Sequence, residues 1–544
     1  MKKNDLLTLT ADGLGADLEG VCRADGMAVF VPGMLPGETA RVRIVKVQSR
    51  FAFGRMEGKP LTASPARKTP DCAAYPRCGG CTGRHMTYET TLEAKRQQVQ
   101  DCFHRIGHID IDVPPVLGMA DPSHYRNKTA LPVGGTVEEP VAGFFAPRSH
   151  DLVPLPENGC AIQGEDSAKA TQAVLNWMRE NSVPAYDEQT GRGLVRHIMT
   201  RSTTSCELMV VVVVTRADIP KASRLIELLR AAVPGLCSVC LSVNSRRTNV
   251  ILGTDIRVLW GKAAMEDTLC GLRFSVSPLS FFQVNPQQTE RLYGLALEYA
   301  GLTGAETVVD AYCGAGTISL LLAQKAKKVI GIEIVPEAIQ NANENAARNG
   351  IANAEFHVGA TEELLPKLVE NGLRPDVIVL DPPRKGCDPA VLQAIIAAAP
   401  KRVVYVSCGA PTLARDAKLL AEGGYIAEKV QCVDMFCWTG AVETVMVMSQ
   451  QKPDDIVKVG IDADELAVTK AESKATYGEI QARVKEQTGL NVTPLYIAQV
   501  KRKHGIIERE CYNKAKSESA KMLICPPDKE KAIEDALRFF GMIA

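Results

Sequence analysis

Cys72, Cys78 and Cys81 follow one another as Cys-x5-Cys-x2-Cys inside Asp71–Gly83, with Gly79-Gly80 between the last two. Thiols spaced this closely let one tight loop converge on a single metal centre. Spacing leaves the fourth ligand open, because Cys102 is nearer in the chain than Cys160. It also leaves the metal open, because four thiolates suit a structural zinc as well as an iron–sulfur cluster. A different thiol, Cys408, ends the apolar run of Val403-Val404-Tyr405-Val406-Ser407-Cys408-Gly409. A thiolate is the strongest nucleophile available near neutral pH when positive charge nearby lowers its pKa. Glu443 stands just ahead of the apolar run Thr444–Met448, where it can reach the same edge and act as a base. Most of the other cysteines read as small buried hydrophobes.

A glycine-rich loop supplies a second kind of chemistry. Val308-Val309-Asp310-Ala311-Tyr312-Cys313-Gly314-Ala315-Gly316-Thr317 reads as a strand, a turn and a helix start. Its glycines let backbone approach a ligand closely. Glu333 follows Gly314 by 19 residues, at the end of the next apolar run. An acid there can accept hydrogen bonds from both hydroxyls of a ribose. The third glycine of a dinucleotide fingerprint is absent, which disfavours NAD and leaves S-adenosylmethionine, a nucleoside with no pyrophosphate. Asp381-Pro382-Pro383-Arg384-Lys385-Gly386 places another acid on a rigid corner after a strand.

These residues need a scaffold that brings strand ends together. From about 266 to 450, short β-branched runs alternate with helix-like stretches, the pattern of a doubly wound parallel sheet. The expected strands are Thr307–Ala311, Lys328–Ile334, Ala354–His357, Asp376–Leu380, Arg402–Val406 and Glu443–Met448. Residues 1–62 have the rhythm of a small β-barrel, with Ala28–Val31 and Glu38–Val47 broken by Pro32-Gly33 and Pro36-Gly37. Residues 63–265 form a mixed α/β region around the apolar strand Leu208–Val214, with helices over Asp166–Glu180 and Pro220–Ala232. Residues 451–544 open on Lys452-Pro453-Asp454-Asp455, which reads as a linker. They continue with helices at Tyr477–Thr488 and Pro494–Lys503, a helix–turn–helix spacing able to meet nucleic acid or to dock on the enzyme.

The composition is that of a soluble enzyme: 544 residues, 46% hydrophobic, 23% charged, with 63 basic side chains against 63 acidic ones. A single core rarely exceeds about 250–300 residues, so three or four domains are expected. No apolar run approaches the roughly 18–20 residues that span a membrane. MKKNDLLTLTADG carries no apolar signal core. Seventeen cysteines without a signal suggest a reducing, cytoplasmic setting. Zero net charge hides a local excess: residues 41–105 hold 13 Lys/Arg against 5 Asp/Glu. Such a stretch beside a barrel suits a phosphate backbone.

Ser280-Phe281-Phe282-Gln283-Val284-Asn285, Asp310–Gly316, Asp381–Gly386, Val406-Ser407-Cys408 and Asp434-Met435-Phe436…Glu443-Thr444 together resemble the RNA uracil-5-methyltransferase family. The match is to its bacterial 23S ribosomal RNA branch and covers roughly residues 5–450. The resemblance implies an amino-terminal TRAM domain of OB-like fold and S-adenosylmethionine held by Gln283, Tyr312, Glu333 and Asp381. It further implies Cys408 as nucleophile, Glu443 as base, and a structural [4Fe–4S] cluster on Cys72, Cys78, Cys81 and Cys160. The implied partner is 23S rRNA, with a target uridine flipped from its stack. The tRNA branch of the family normally lacks both the cysteine loop and the barrel, which argues against tRNA. A non-catalytic assembly factor on the same scaffold is the other alternative, opposed by retention of Cys408 and Glu443. Two departures concern the residues that orient the uracil. Gly409-Ala410-Pro411 follows the cysteine in place of the family's Asn-Pro. Cys437-Trp438-Thr439 and Ala441 replace its Pro-x-Thr and a nearby His.

Overall fold

A computed structural model describes residues 1–451, 477–490, 492–504, 525–540 and 542–543. The chain divides into two units, Met1–Lys452 and Pro453–Ala544.

The first unit opens with a closed barrel of β1 (Leu6–Leu14), β2 (Gly20–Ala24), β3 (Met27–Val31), β4 (Thr39–Val47) and β5 (Phe51–Met56), in the order β1-β2-β3-β5-β4. Alternation along these strands sends Leu9, Ala11, Cys22, Val29, Val31, Val42 and Ile44 inward. Closure leaves no free sheet edge. A long helix, α1 (Tyr88–Cys102), follows; Thr87 caps it by accepting from Thr90 N–H.

The central region is a seven-stranded sheet of β6 (Lys128–Gly135), β7 (Pro140–Phe145), β8 (Leu152–Pro154), β9 (Val195–Ser202), β10 (Leu208–Val214), β11 (Leu236–Val243) and β12 (Asp255–Gly261). Strand β10 is buried from end to end because both faces are covered. Val210, Val212 and Val214 face α2 (Glu165–Glu180) and α3 (Ala222–Ala232), while Met209 and Val211 meet Met199 and Cys240. A hairpin of β13 (Met265–Leu269) and β14 (Leu272–Val276) leads onward.

The last domain of this unit begins with α4 (Pro286–Ala300) and continues through β15 (Thr307–Ala311), α5 (Thr317–Ala323), β16 (Lys328–Glu333), α6 (Pro336–Arg348), β17 (Ala354–Val358), α7 (Thr361–Glu370), β18 (Val377–Leu380), α8 (Pro389–Ala398), β19 (Arg402–Ser407), α9 (Ala410–Glu422), β20 (Tyr425–Val433) and β21 (Glu443–Gln450). Its sheet runs β17-β16-β15-β18-β19-β21-β20. The strand order reverses between β15 and β18, which is where such sheets bind ligands. Two features differ from the sequence expectation. Strand β20 is additional, and β21 inserts antiparallel between β19 and β20, so the sheet is parallel only through β19. Helix α1 also packs here: Val99, Phe103, Val113 and Val116 join the apolar layer under this sheet, although their place in the sequence groups them with the central region.

The second unit contains α10 (Tyr477–Thr488), α11 (Pro494–Lys503) and α12 (Pro527–Phe539) around Ile480, Val484, Ile497, Val500, Ile533 and Leu537. The two helices expected from the sequence occur with those bounds, and α12 is a third. The linker at Lys452–Asp455 lies outside the described residues. Among the described residues no helix is long and apolar enough to cross a membrane.

Candidate active site

The sheet collects the expected residues on one edge. Tyr312 follows β15, Glu333 ends β16, Asp381 follows β18 and Cys408 follows β19. Glu443 starts β21, and because β21 runs antiparallel its beginning lies at that same edge. Ser407 pairs with Thr444, so the next residues outward, Cys408 and Glu443, sit on neighbouring strand ends.

The loop after β15 is shaped by backbone conformations that few side chains adopt. Gly314 and Gly316 have φ of 54° and 82°, and Tyr312 takes φ 85° despite its side chain. A left-handed non-glycine residue costs of the order of 1–3 kcal/mol and marks an over-determined site. Glu333 ties the loop to β16: one carboxylate oxygen accepts from Gly314 N–H at 3.2 Å and the other from Val335 N–H at 2.9 Å. Below it, buried Asp310 accepts from Ser319 Oγ at 2.5 Å while its other oxygen has no partner. Burial pushes the Asp310 carboxyl up to about 6.

Electrostatics at this edge favour neutral forms. Burial, then the neighbouring Asp381 charge, pushes Glu443 up to about 8, against the pull of Arg384. Burial and Asp310 push Asp381 up to about 7. Cys408 is raised by burial and by Glu443, and Arg384 opposes both. A cation bound beside these groups would favour their charged forms.

Two side chains at this edge escaped the sequence reading. Tyr293 of α4 lies wholly buried beside Gln283, Thr317 and Asp381; burial raises its hydroxyl pKa. Its signal was hidden because a tyrosine on an amphipathic helix reads as core. Arg384 belongs to a motif already noted, yet spacing alone does not show that its charge faces both Cys408 and Glu443. Phe281, two residues before Gln283, is 73% exposed, which is unusual for so large an apolar side chain.

The four loop cysteines are brought to one place. Cys72, Cys78, Cys81 and Cys160 line a cavity of about 310 Å³ together with Tyr75, Arg84, Arg126 and Lys128. Cys102 lies elsewhere, in a groove beside the barrel residues Gly13–Ala16. Among the described residues, no group of three or more His, Cys, Asp or Glu side chains is arranged to hold a metal ion. Burial raises the Cys78 and Cys81 thiols and pushes Cys160 up to about 11.

Comparison with known proteins agrees with this architecture. Residues 6–56 match the TRAM domain and residues 302–426 a methyltransferase domain. An uncharacterized RNA methyltransferase of Halalkalibacterium halodurans is 46% identical over 450 residues, covering 82% of this chain and 98% of its own. One from Clostridium tetani is 45% identical over 450 residues, covering 82% and 97%. Among solved structures, the Pyrococcus abyssi tRNA (uracil-54, C5)-methyltransferase in complex with S-adenosyl-L-homocysteine superposes with a TM-score of 0.66 at 26% identity, over 81% of this chain and 100% of that one. Identity at this level over nearly the whole length of its relatives places the chain in the RNA methyltransferase family, with an amino-terminal TRAM barrel and a methyltransferase domain matched over residues 302–426.

Proposed function

We propose that the chain is an S-adenosylmethionine-dependent RNA uracil-5-methyltransferase that acts on 23S rRNA through a covalent Cys408 adduct. The observation carrying this reading is the pairing of a thiol and a carboxyl, Cys408 and Glu443, on adjacent strand ends beside Asp381. Carbon 5 of uracil is a weak nucleophile. Attack of the Cys408 thiolate on C6 forms an S–C6 bond and moves an electron pair to O4, making an enolate. The cofactor supplies an electrophilic methyl group on a sulfonium. Once C5 carries the methyl, Glu443 takes the C5 proton, the electron pair re-forms C5=C6, and the thiolate leaves. Gln283, Tyr312, Glu333 and Asp381 hold the cofactor in this reading, and exposed Phe281 supplies a ring for a base to stack on.

The neighbouring tRNA enzyme favours a second reading, methylation of a tRNA uridine. Its overlap with 81% of this chain means that domain organisation alone does not separate tRNA from rRNA. The test is a map of 5-methyluridine in total RNA from a deletion strain and its complemented parent. Loss of one or two marks from 23S rRNA is expected. Loss confined to tRNA establishes the second reading, and an unchanged map removes both.

The cysteine cavity fits an anionic thiolate-bound cluster: four thiols face it, and Arg84, Arg126 and Lys128 supply balancing positive charge. In this proposal Cys72, Cys78, Cys81 and Cys160 hold a [4Fe–4S] cluster with a structural role. Protein purified without oxygen is expected to be brown and to contain iron, and Cys78→Ala to lose both. Stoichiometric zinc without iron in such a sample ends the proposal.

A further inference from the structure

The segment Asp434–Val442 joins β20 to the base, and it is gripped from several sides. Tyr88 Oη donates to Asp434 Oδ2 at 2.6 Å, and Lys95, wholly buried in α1, pairs with Asp434 and donates to the Phe436 carbonyl at 3.1 Å. On the opposite flank in sequence, Gly440 approaches the barrel so closely that a Cβ there would lie 1.9 Å from the Ala16 carbonyl oxygen. Between these fixed points stands Trp438. Its carbonyl accepts from both Thr82 N–H and Gly83 N–H at 2.9 Å, immediately after Cys81. The Lys68 ammonium lies 4.3 Å and the Arg84 guanidinium 5.1 Å from its ring. Its indole N–H donates to the Pro122 carbonyl at 3.2 Å, and Tyr88 meets its ring at 5.3 Å. Arg84 also pairs with Asp71 at 2.5 Å and lines the same cavity as Cys81, so one guanidinium reaches both the cysteine loop and the indole. The backbone of Trp438 is left-handed, with φ 66°, a conformation that persists in a bulky residue only where its surroundings impose it.

We propose that Trp438 is a positioning residue through which the cysteine loop holds the Asp434–Val442 segment and thereby sets the Glu443 carboxyl. The role of Glu443 rests on the reading above; the mechanical link does not. A proton-abstracting group must meet its C–H within hydrogen-bond reach, and a displacement of about 1 Å can cost two orders of magnitude in rate. Here the base starts a strand, and the segment ahead of it is anchored at 434, 436, 438 and 440. The cysteine loop reaches that segment through Trp438, so a change at the thiols is transmitted to the base.

Trp438→Gly isolates the side chain, because glycine takes φ 66° freely and keeps the carbonyl that Thr82 and Gly83 bond. Hydrogen exchange of full-length protein should show faster exchange of the Met435–Val442 amides in Trp438→Gly and in Cys81→Ser, with Leu208–Val214 unchanged in both. Turnover by Trp438→Gly should fall about tenfold or more with KM for RNA within about twofold, and covalent adduct should build up on ordinary uridine. Trp438→Phe, which keeps a ring, should recover most of the rate. Exchange in Cys81→Ser confined to residues 72–83, or Trp438→Gly with parental exchange, overturns the link. If exchange rises as expected but Glu443→Gln turns over normally, the link stands and the assignment of the base fails.

Discussion

RNA carrying 5-fluorouridine at the target position is expected to leave the enzyme covalently attached through Cys408. Fluorine at C5 cannot depart as a proton, so after methyl transfer the elimination that frees the thiolate is blocked. The adduct should require S-adenosylmethionine and survive a denaturing gel. Cys408→Ala should give neither adduct nor product, a loss of about four orders of magnitude or more. Glu443→Gln should separate the steps, forming adduct on ordinary uridine and releasing it slowly. The acid limb of the pH profile follows from the same geometry. In free enzyme Glu443 stands at about 8, so it is protonated at neutral pH and must lose that proton to serve as base. Cys408 must ionise as well, and its thiol is raised above the ordinary value, so kcat/KM should rise through about pH 8 and keep rising above it. Arg384 lowers both Glu443 and Cys408, so Arg384→Gln should move the limb to higher pH. A Cys408→Ala enzyme that still methylates C5 removes the nucleophile and the mechanism with it.

The parts of this site that the sequence exposes are those whose chemistry is local. Thr307–Ala311 announces a strand by β-branching, and the loop after it announces a ligand by its glycines. Leu208–Val214 is legible because a strand covered on both faces has no polar side to conceal it. Strand β20 is not legible. It is an edge strand with a bulge between Ala427 and Lys429, and Glu428-Lys429 interrupts its apolar alternation. The reversed direction of β21 is equally silent, since a period of two is the same in either sense. Choosing between Cys102 and Cys160 also exceeds spacing: the nearer thiol ends a helix that faces the barrel, and only the fold turns the farther one into the cavity. The anchors of Asp434–Val442 come from residues more than 300 positions away in sequence, such as Tyr88 and Lys95.

Lys95→Met is expected to be among the most destabilising single substitutions in the first unit. Lys95 and Asp434 are both fully buried, and their contact joins α1 to the segment that carries the base. Burying two charges is itself expensive, so the pair need not stabilise the fold more than two apolar side chains would. Removing one partner is different, because the carboxylate left behind is desolvated and uncompensated, at about 3–5 kcal/mol. Tyr88 Oη still donates to Asp434, which softens the loss without neutralising the charge. Thermal or denaturant unfolding should therefore show a drop of that size for Lys95→Met. Lys95→Met with Asp434→Leu should recover most of it, because neither charge remains. The double variant should still turn over more slowly than the parent, since the Phe436 carbonyl has lost the Lys95 donor and the segment ahead of Glu443 has lost an anchor. Equal stability of Lys95→Met and the parent would mean that water reaches Asp434 and that the segment is held by its remaining contacts alone.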